Sequence, residues 1–414
     1  MAEPFRTVTI TDFGAVGDGQ VLNTAAINRA IDSVAAGGGV VRIPPGRFLT
    51  GTVRLRSGVT LRLEAGSRLV GTADLSQYQM FAHPGQTPKA WHRAMILGID
   101  VQDAAICGEG VIDGAKVFDP QGEERMRGPH TILLGHCSRF DLRDVTIVDS
   151  ANYAVLLERV DDFECRNVRF RGGWDGVHAR GSAQQPCRRM SIVHCDFQTG
   201  DDAIAGWHWH DTVIAQCVIN SSCNGIRVIG PVERLTVHGC LFFGPGRYEH
   251  RTQSRTNALA GILLQPGAWS PTQGRLDQIL ISDVTMRDLS CPLAVYTKPG
   301  NRGGRIVVER LTATGMYESP LSFESWDESA LEHVVLRDIT VDWTAAAVKD
   351  HAVPHAPPHV GVRPLPAWGL FVHRVARLDA HRVHLHIDGQ DVRPAVVTDQ
   401  IGHATMHEVT PNDD

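Results

Sequence analysis

Apolar and polar residues alternate with a two-residue period over many short stretches of this chain, and each stretch stops at a small or polar corner. The first such run, Thr-Val-Thr-Ile-Thr-Asp-Phe-Gly at residues 7–14, predicts a strand that ends in the glycine-rich turn Gly14 to Gly19. The period then changes. Ala26, Ile27, Ala30, Ile31 and Val34 fall at helical spacing, so a helix is predicted from about Ala25 to Ala35, with Asn23 and Thr24 as N-cap candidates and Gly37-Gly38-Gly39 as its stop. Short strands are predicted next over Val40–Ile43, Arg47–Thr50, Val53–Leu55, Val59–Leu63 and Arg68–Gly71, separated by Pro-Pro-Gly, Ser-Gly and Ala-Gly turns.

From about residue 95 the alternation becomes a repeat, and the repeat sets the fold. Closing strands share a polar-apolar-polar-apolar pattern beginning at Asp144, Asn167, His194, Gln216, Gly239, Asp283, Arg310 and Asp338. Their second residues, Val145, Val168, Cys195, Cys217 and Cys240, are spaced by 23, 27, 22 and 23. The next gap, to Val284, is 44 and must hold extra chain, for which Gly244 to Asn257 is the candidate insertion. This period suits a leucine-rich repeat or a β-solenoid, but the leucine signature and any helical half-repeat are absent. Strand-turn-strand units dense in Val, Ile and Gly predict an all-β parallel β-helix, with equivalent residues stacked about 4.8 Å apart. The helix at 25–35 is then a cap over the first coil, where an open end would expose unpaired edges. Proline and histidine enrich the tail from about 344 through 366; strand character returns at Gly369–Val372, Val383–Ile387 and Ala395–Thr398, ending the solenoid. The expectation is one domain over 1–414: a cap and first coils over 1–60, central coils over 61–343, and C-terminal coils over 344–414.

Composition changes this picture little. The 414 residues are 43% hydrophobic and 21% charged, which excludes a disordered chain. A net charge of −6 with both signs dispersed gives no reason to expect nucleic acid or an anionic membrane as partner, and no window approaches the ~20 apolar residues of a membrane span. No apolar leader follows the N-terminus, so the chain as written is expected to be cytoplasmic, or exported if a leader has been removed. The nine cysteines lack CxxC spacing, and Cys195, Cys217 and Cys240 recur at one repeat position, which favours a buried thiol stack over disulfides or metal.

Candidate chemistry is concentrated between Gly172 and Gly230. Three corners run Asp175-Gly-Val-His-Ala-Arg180, Asp202-Ala-Ile-Ala-Gly-Trp207 and Asn224-Gly-Ile-Arg-Val-Ile229, and Asp201 precedes the second. Alternation turns Val177, Ile204, Ile226 and Ile262 inward and Gly176, Ala203, Gly225 and Gly261 outward, predicting a floor nearly free of side chains. Beside it run His178, Ala205, Arg227 and Leu263, and beyond them Arg180, Trp207, Ile229 and Gln265. Carboxylates edging a flat floor, with cations and aromatics opposite, suit a sugar ring and the acid and base that glycoside hydrolysis requires. Crowded carboxyls also raise one another's pKa toward that of a working acid. Against this stands the ordinary use of Asp and Asn at corners, where the side chain bonds the turn backbone.

The chain resembles the polygalacturonase family of glycosidases, which folds as a right-handed, single-stranded parallel β-helix, over most of its length. Asp12-Phe-Gly-Ala-Val-Gly-Asp-Gly19, Asn23-Thr-Ala-Ala-Ile27 and Ile43-Pro-Pro-Gly46 are common to many pectin-lyase-like β-helices and speak for fold; Gly108-Glu-Gly-Val-Ile-Asp-Gly114 is nearer to the family. Trp174-Asp-Gly-Val-His178 resembles the family's Asn-Thr-Asp-Gly motif, and Thr199-Gly-Asp-Asp-Ala-Ile204 its aspartate-pair motif. The resemblance implies an inverting hydrolase of pectin-related oligosaccharides in which Asp201 is the general acid and Asp175 and Asp202 hold and activate water. Two positions depart from the family. Cys223-Asn224-Gly225 stands for its Gly-His-Gly, and Leu263-Leu264-Gln265 for its Arg-x-Lys, which grips the galacturonate carboxylate. Either Arg227 replaces the missing cation, or the sugar is neutral or differently placed.

The expected substrate contacts are therefore Asn224, Arg227, His178, Arg180, Trp207, His208 and Gln265, with no cofactor and no metal. Trp207-His208-Trp209-His210 presents two imidazoles without an apparent third ligand, which suits sugar stacking or loop packing better than a metal. Trp174, Trp207, Trp269 and Trp326 are candidates for a stacking wall, each with a partly buried structural role as the alternative. Tyr296, Lys298 and Glu324 are candidates for outer subsites, with plain solvated surface favoured. The basic segment Arg247 to Arg255 is either a wall of the cleft or an exposed loop. A chain without a leader points to exo action on oligosaccharides. A β-eliminating polysaccharide lyase, needing a cation or Ca²⁺ beside a uronate, and a non-catalytic carbohydrate-binding solenoid are the alternatives.

Overall fold

Each closing strand of the repeat begins with a residue in the left-handed region, and that conformation turns the chain from one sheet strand into the next. In the computed structural model, φ is +68° at Asp144, +54° at Asn167, +56° at His194, +54° at Gln216, +63° at Gly239, +55° at Asp283, +50° at Arg310 and +54° at Asp338. The apolar residue that follows is buried in every case, from Val145 to Ile339. The polar position of the sequence repeat is thus a backbone corner, tolerated best by short polar side chains that bond locally. Corner side chains stack from coil to coil: Asn167 Nδ2 donates to Asp144 Oδ1 at 2.9 Å, Arg310 pairs with Asp283 at 2.7 Å, and Arg382 pairs with Asp338 at 2.5 Å. Exposed pairs of this kind contribute little individually.

The structure describes residues 6–81, 92–344 and 352–413. The N-terminal entry before Arg6 and the part of the Pro- and His-rich stretch at 345–351 lie outside these residues. The chain forms two units, one running to Gly181 together with Cys187–Thr199, the other comprising Ser182–Pro186 and the chain from Gly200 onward. Both are coils of right-handed parallel β-helix.

In the first unit, parallel strands Val53–Arg54, Ala94–Ile99, His130–Gly135, Val155–Glu158 and Val177–Arg180 align Val53, Ile96, Ile132, Val155 and Val177 as one buried column. A second column runs Val41, Leu61, Ile106, Leu142, Cys165, Ile192, and a third Phe48, Leu69, Ile112, Ile147, Phe170, Phe197. Phe170 and Phe197 stack at 4.5 Å. Burying each such side chain contributes about 1.5–3 kcal/mol, which is what holds coils without a conventional globular core.

The predicted helix spans Thr24–Asp32, with Ala26, Ile27, Ala30 and Ile31 buried, and it is pinned to the first strands by Asn28 Nδ2 to Thr52 O at 3.0 Å and Arg54 N to Asn28 Oδ1 at 2.8 Å. Asn23 does not cap through its side chain; it is fully enclosed and bonds Val16 and Val21 instead, holding the glycine-rich turn.

The second unit repeats the plan. Strands Ile204–Trp207, Asn224–Val228, Ala260–Leu264, Cys291–Thr297, Leu321–Ser325, Leu370–His373 and Val396–Asp399 pair in parallel, with Ile204, Ile226, Ile262 and Leu293 in one inner column. The last strand, His403–Asp413, is one the sequence reading missed. Of the expected cysteine stack, Cys217 and Cys240 are buried and bonded to each other in the second unit. Cys195 is buried in the first unit, its sulfur 3.7 Å from that of Cys165, too far for a disulfide. No helix among the described residues is long and apolar enough to cross a membrane.

Candidate active site

Asp201 and Asp202 sit immediately before strand Ile204–Trp207, and neither takes the left-handed conformation of the corner aspartates. Asp144, Asp283 and Asp338 are partly open to solvent and positive in φ; Asp201 and Asp202 are buried, at 9% and 4% exposure. The left-handed turn conformation of the first group is not taken by the pair.

Asp202 is held from three directions. Its Oδ1 accepts from Asn224 N at 3.1 Å and Asn224 Nδ2 at 2.7 Å, while its Oδ2 lies 3.4 Å from Arg227 Nη1. Burial pushes the Asp202 carboxyl up, with Arg227 pulling it down and the neighbouring Asp201 pushing it further up. Asp201 is placed by its backbone: its carbonyl accepts from Ser221 Oγ at 2.6 Å, and its Oδ1 accepts from Asp202 N at 3.0 Å. Ser221 Oγ in turn accepts from Cys223 N at 2.9 Å. Burial and the two carboxylates drive the Cys223 thiol well up, so it sits protonated beside the pair.

Arg227 projects outward between Ala205 and Leu263, as alternation requires. Its guanidinium carbon lies 5.3 Å from the ring centre of Trp269, which is 59% exposed. Asn224 Oδ1 and Arg227 Nε are buried without a hydrogen-bond partner among the described residues, leaving polar capacity beside an open aromatic ring.

In the first unit, Asp175 lies 2.6 Å from His178 Nδ1 through Oδ2. The His178 ring stacks on Tyr153 at 4.2 Å and 10°, and Tyr153 stacks on His130 at 5.2 Å. Arg180 Nη2 donates to Tyr153 OH at 3.1 Å, and Arg127 covers the buried Trp174 ring at 3.6 Å. Tyr153, His130 and Arg127 escaped the sequence reading; Tyr153 follows Asn152 at a repeat corner, the one available signal.

Several expectations change. The outward glycine floor is not built. A Cβ on Gly225 would lie 2.5 Å from the Phe242 ring, and one on Gly261 2.6 Å from the Met286 sulfur, so both glycines face the core in the first residues of their strands, where alternation is broken. Gln265 is fully buried, its Oε1 accepting from Tyr296 OH and from Gly361 N at 3.1 Å, so its place is structural rather than substrate-facing. Leu263 and Tyr296 are buried beneath Val362 and Trp326. Glu324 pairs with Arg363 and accepts from Trp326 Nε1 at 2.9 Å, and Lys298 Nζ donates to His359 O at 2.7 Å. The positions read as outer subsites or solvated surface are therefore covered by the segment at 359–363. His208 is a left-handed corner (φ +54°) between strands Ile204–Trp207 and Trp209–Ala215, and His210 lies 3.7 Å from Glu233, so the two imidazoles do not share a strand face. Of the expected tryptophan wall, Trp269 is open, Trp207 and Trp326 are half-buried, and Trp174 is fully enclosed.

A right-handed parallel β-helix places the chain in the pectin-lyase-like class. Within it, the chain belongs to the family described as rhamnogalacturonase A/epimerase, pectate lyase-like, whose model matches residues 5–227, more than half the sequence. It is similar to a Vitis vinifera protein named "Probable polygalacturonase", 26% identical over 304 residues covering 69% of this chain and 61% of that one. It is also similar to rhamnogalacturonase A of Aspergillus niger, 25% identical over 185 residues, 43% of this chain and 37% of that one. The match thus spans less than two thirds of either relative. An exopolygalacturonase from Thermotoga maritima shares the fold, with TM-score 0.62, 18% identity and coverage of 90% of this chain and 91% of that one.

Proposed function

We propose that the protein is an inverting glycoside hydrolase that removes sugar from the chain ends of pectin-related oligosaccharides, with Asp201 as proton donor. The observation that carries this reading is the burial of two adjacent carboxyls, Asp201 and Asp202, next to Arg227. Two adjacent buried carboxyls disfavour double ionisation, which favours keeping a proton on the pair. Arg227 and the Asn224 amide hold the charge on Asp202. The family resemblance assigns the donor's part to Asp201, whose proton would pass to the glycosidic oxygen as the bond to the anomeric carbon breaks. A water adds to that carbon from the opposite face, its proton taken by a carboxylate. Asp202 supplies one such group, and the family resemblance alone assigns Asp175 to the same task.

The Arg227–Trp269 neighbourhood supports a uronate or galactose-type ring stacked on the indole, with its carboxylate toward the guanidinium. Beyond Arg227 the outer face is closed over Leu263, Gln265, Tyr296 and Glu324. A polymer cannot run on in that direction, which supports chain-end attack. Digestion of oligogalacturonides, rhamnogalacturonan oligosaccharides and neutral galactans, followed by proton NMR of the fresh product, tests the reading. It expects single sugars released with inverted anomeric configuration. Unsaturated products would establish a lyase instead, and binding without turnover a carbohydrate-binding solenoid.

A further inference from the structure

The segment Arg247 to Arg255, expected either to wall the cleft or to be an exposed loop, leaves Thr252, Gln253 and Ser254 exposed but buries His250. It is folded down onto the corner that precedes Asn224. Asn220 Nδ2 donates to Phe243 O and Pro245 O, both at 2.8 Å, and its Oδ1 accepts from Arg247 N at 2.8 Å. Ser222 Oγ donates to Tyr248 O, and Arg255 reaches Ser222 O, Asn257 O at 3.1 Å and Cys223 Sγ at 3.5 Å. Gly246 passes so close that a Cβ there would lie 2.0 Å from Ser222 Oγ. A tight turn, with Ser254 N donating to His250 O at 2.8 Å and His250 N to Arg255 O at 2.9 Å, fixes the backbone of His250.

All this anchoring delivers one imidazole. His250 is 6% exposed, and its Nε2 lies 3.7 Å from Asp201 Oδ1. Its other nitrogen, Nδ1, lies 3.2 Å from Thr252 Oγ1. One ligand atom each from Asp201, Cys223 and His250 falls within 4.8 Å of the others. The Arg255 guanidinium and the Asn224 amide, 3.3 Å from Cys223 Sγ, surround that sulfur with donors, an arrangement unlike a cation site.

We infer that His250, carried on the inserted loop, is a positioning residue for Asp201, holding the proton donor's carboxyl in the orientation that protonates the leaving oxygen. The inference rests on the hydrolase reading above. Nδ1 faces Thr252 Oγ1, and Nε2 stands 3.7 Å from Asp201 Oδ1, beyond hydrogen-bond distance. The ring therefore acts by packing beside the carboxyl and limiting its rotation. Thr252 fixes the ring and Arg255 fixes the loop.

Because His250 acts through the proton donor, its loss is felt only where protonation of the leaving group matters. The test compares digalacturonate, whose sugar alkoxide must be protonated, with 4-nitrophenyl α-D-galacturonide, whose nitrophenolate leaves unaided. His250→Ala and the bulkier His250→Gln should lower kcat on digalacturonate about 10²-fold with KM within about threefold, and kcat on the aryl glycoside less than about fivefold. Thr252→Val should show the same split, about three- to tenfold on digalacturonate, and Asp201→Asn the largest. Equal losses on both substrates, or none on either, in variants with wild-type thermal unfolding overturn the inference. Wild-type protein inactive on both substrates overturns the galacturonide reading itself, and the role of His250 falls with it.

Discussion

Arg227 reaches Asp202 at 3.4 Å while its guanidinium rests 5.3 Å from the exposed Trp269 ring, so one cation faces a buried carboxyl on one side and an open aromatic ring on the other. The expected consequence is a double loss on substitution. Arg227→Ala should reduce kcat/KM on digalacturonate by about 10²–10³-fold, since it removes a carboxylate partner and leaves Asp202 as an uncompensated buried charge. Arg227→Lys should recover part of this. Kinetics on the uronide check it, and unchanged activity of the alanine variant would remove Arg227 from substrate recognition.

The Asp202 carboxyl is raised by burial, and the sign of its effect on stability follows. A carboxyl whose folded pKa exceeds its unfolded value binds its proton more tightly in the native state. Stability is therefore lost as pH rises from about 3.9 through the folded pKa. Asp202→Asn removes that titration. Its Tm relative to wild type should become steadily more favourable from about pH 4 to pH 7, even though activity is lost. Scanning calorimetry across this range decides it; a pH-independent difference would mean that burial does not govern this group.

Arg363 is the clasp of the covering segment. Glu324 is 2% exposed at its side chain, and removing its partner strands a buried carboxylate, at a cost of about 3–5 kcal/mol. Arg363→Ala should therefore lower Tm and speed hydrogen exchange at 359–363. With the outer face uncovered, longer oligogalacturonides should show internal cuts beside end-release. Product lengths over time are the measurement, and an unchanged single-sugar pattern would mean that the cover does not set the direction of attack.

Gly225→Ala probes the corner itself. The added methyl would stand 2.5 Å from both the Phe242 ring and the Gly261 carbonyl oxygen. Overpacking of this kind costs about 1–3 kcal/mol or more, and here it displaces the strand that carries Asn224 and Arg227. Loss of both stability and activity is expected in a thermal melt and an assay of the same sample. Wild-type behaviour in both would restore the outward glycine floor.

The fold was legible because its signals are local and repeated. One polar residue such as Asn167 or Asp283 takes the left-handed corner, and the next apolar residue joins a column, so eight copies of a short pattern specify both turn and core. The Asp201–Asp202 pair was legible through a motif on a single corner. Alternation misled at Gly225 and Gly261, which lie inside strands Asn224–Val228 and Ala260–Leu264 yet face Phe242 and Met286, so the period-two rule is broken in the first residues of those strands. His250 was hidden for another reason. Its approach depends on Asn220 and Ser222 holding loop carbonyls 23 and 26 residues away and on Arg255 of the loop reaching back 33 residues to Ser222 O, and hydrogen bonds to main-chain carbonyls leave no mark in composition or periodicity. The cover at 359–363 was invisible likewise, since Gly361 contributes through its backbone to Gln265 and Tyr296.

All nine cysteines are free and buried, and burial pushes Cys137 to about 11 and Cys187 to about 12, with Cys223 and Cys291 also raised. All nine sulfurs are buried out of reach of alkylating reagents, and a coil must open before its own can react. They lie from Cys107 to Cys291 along the solenoid, so the native chain carries a graduated set of reporters. Mass-spectrometric modification rates at the nine positions would read out which coils come apart first, with no label or engineered probe added.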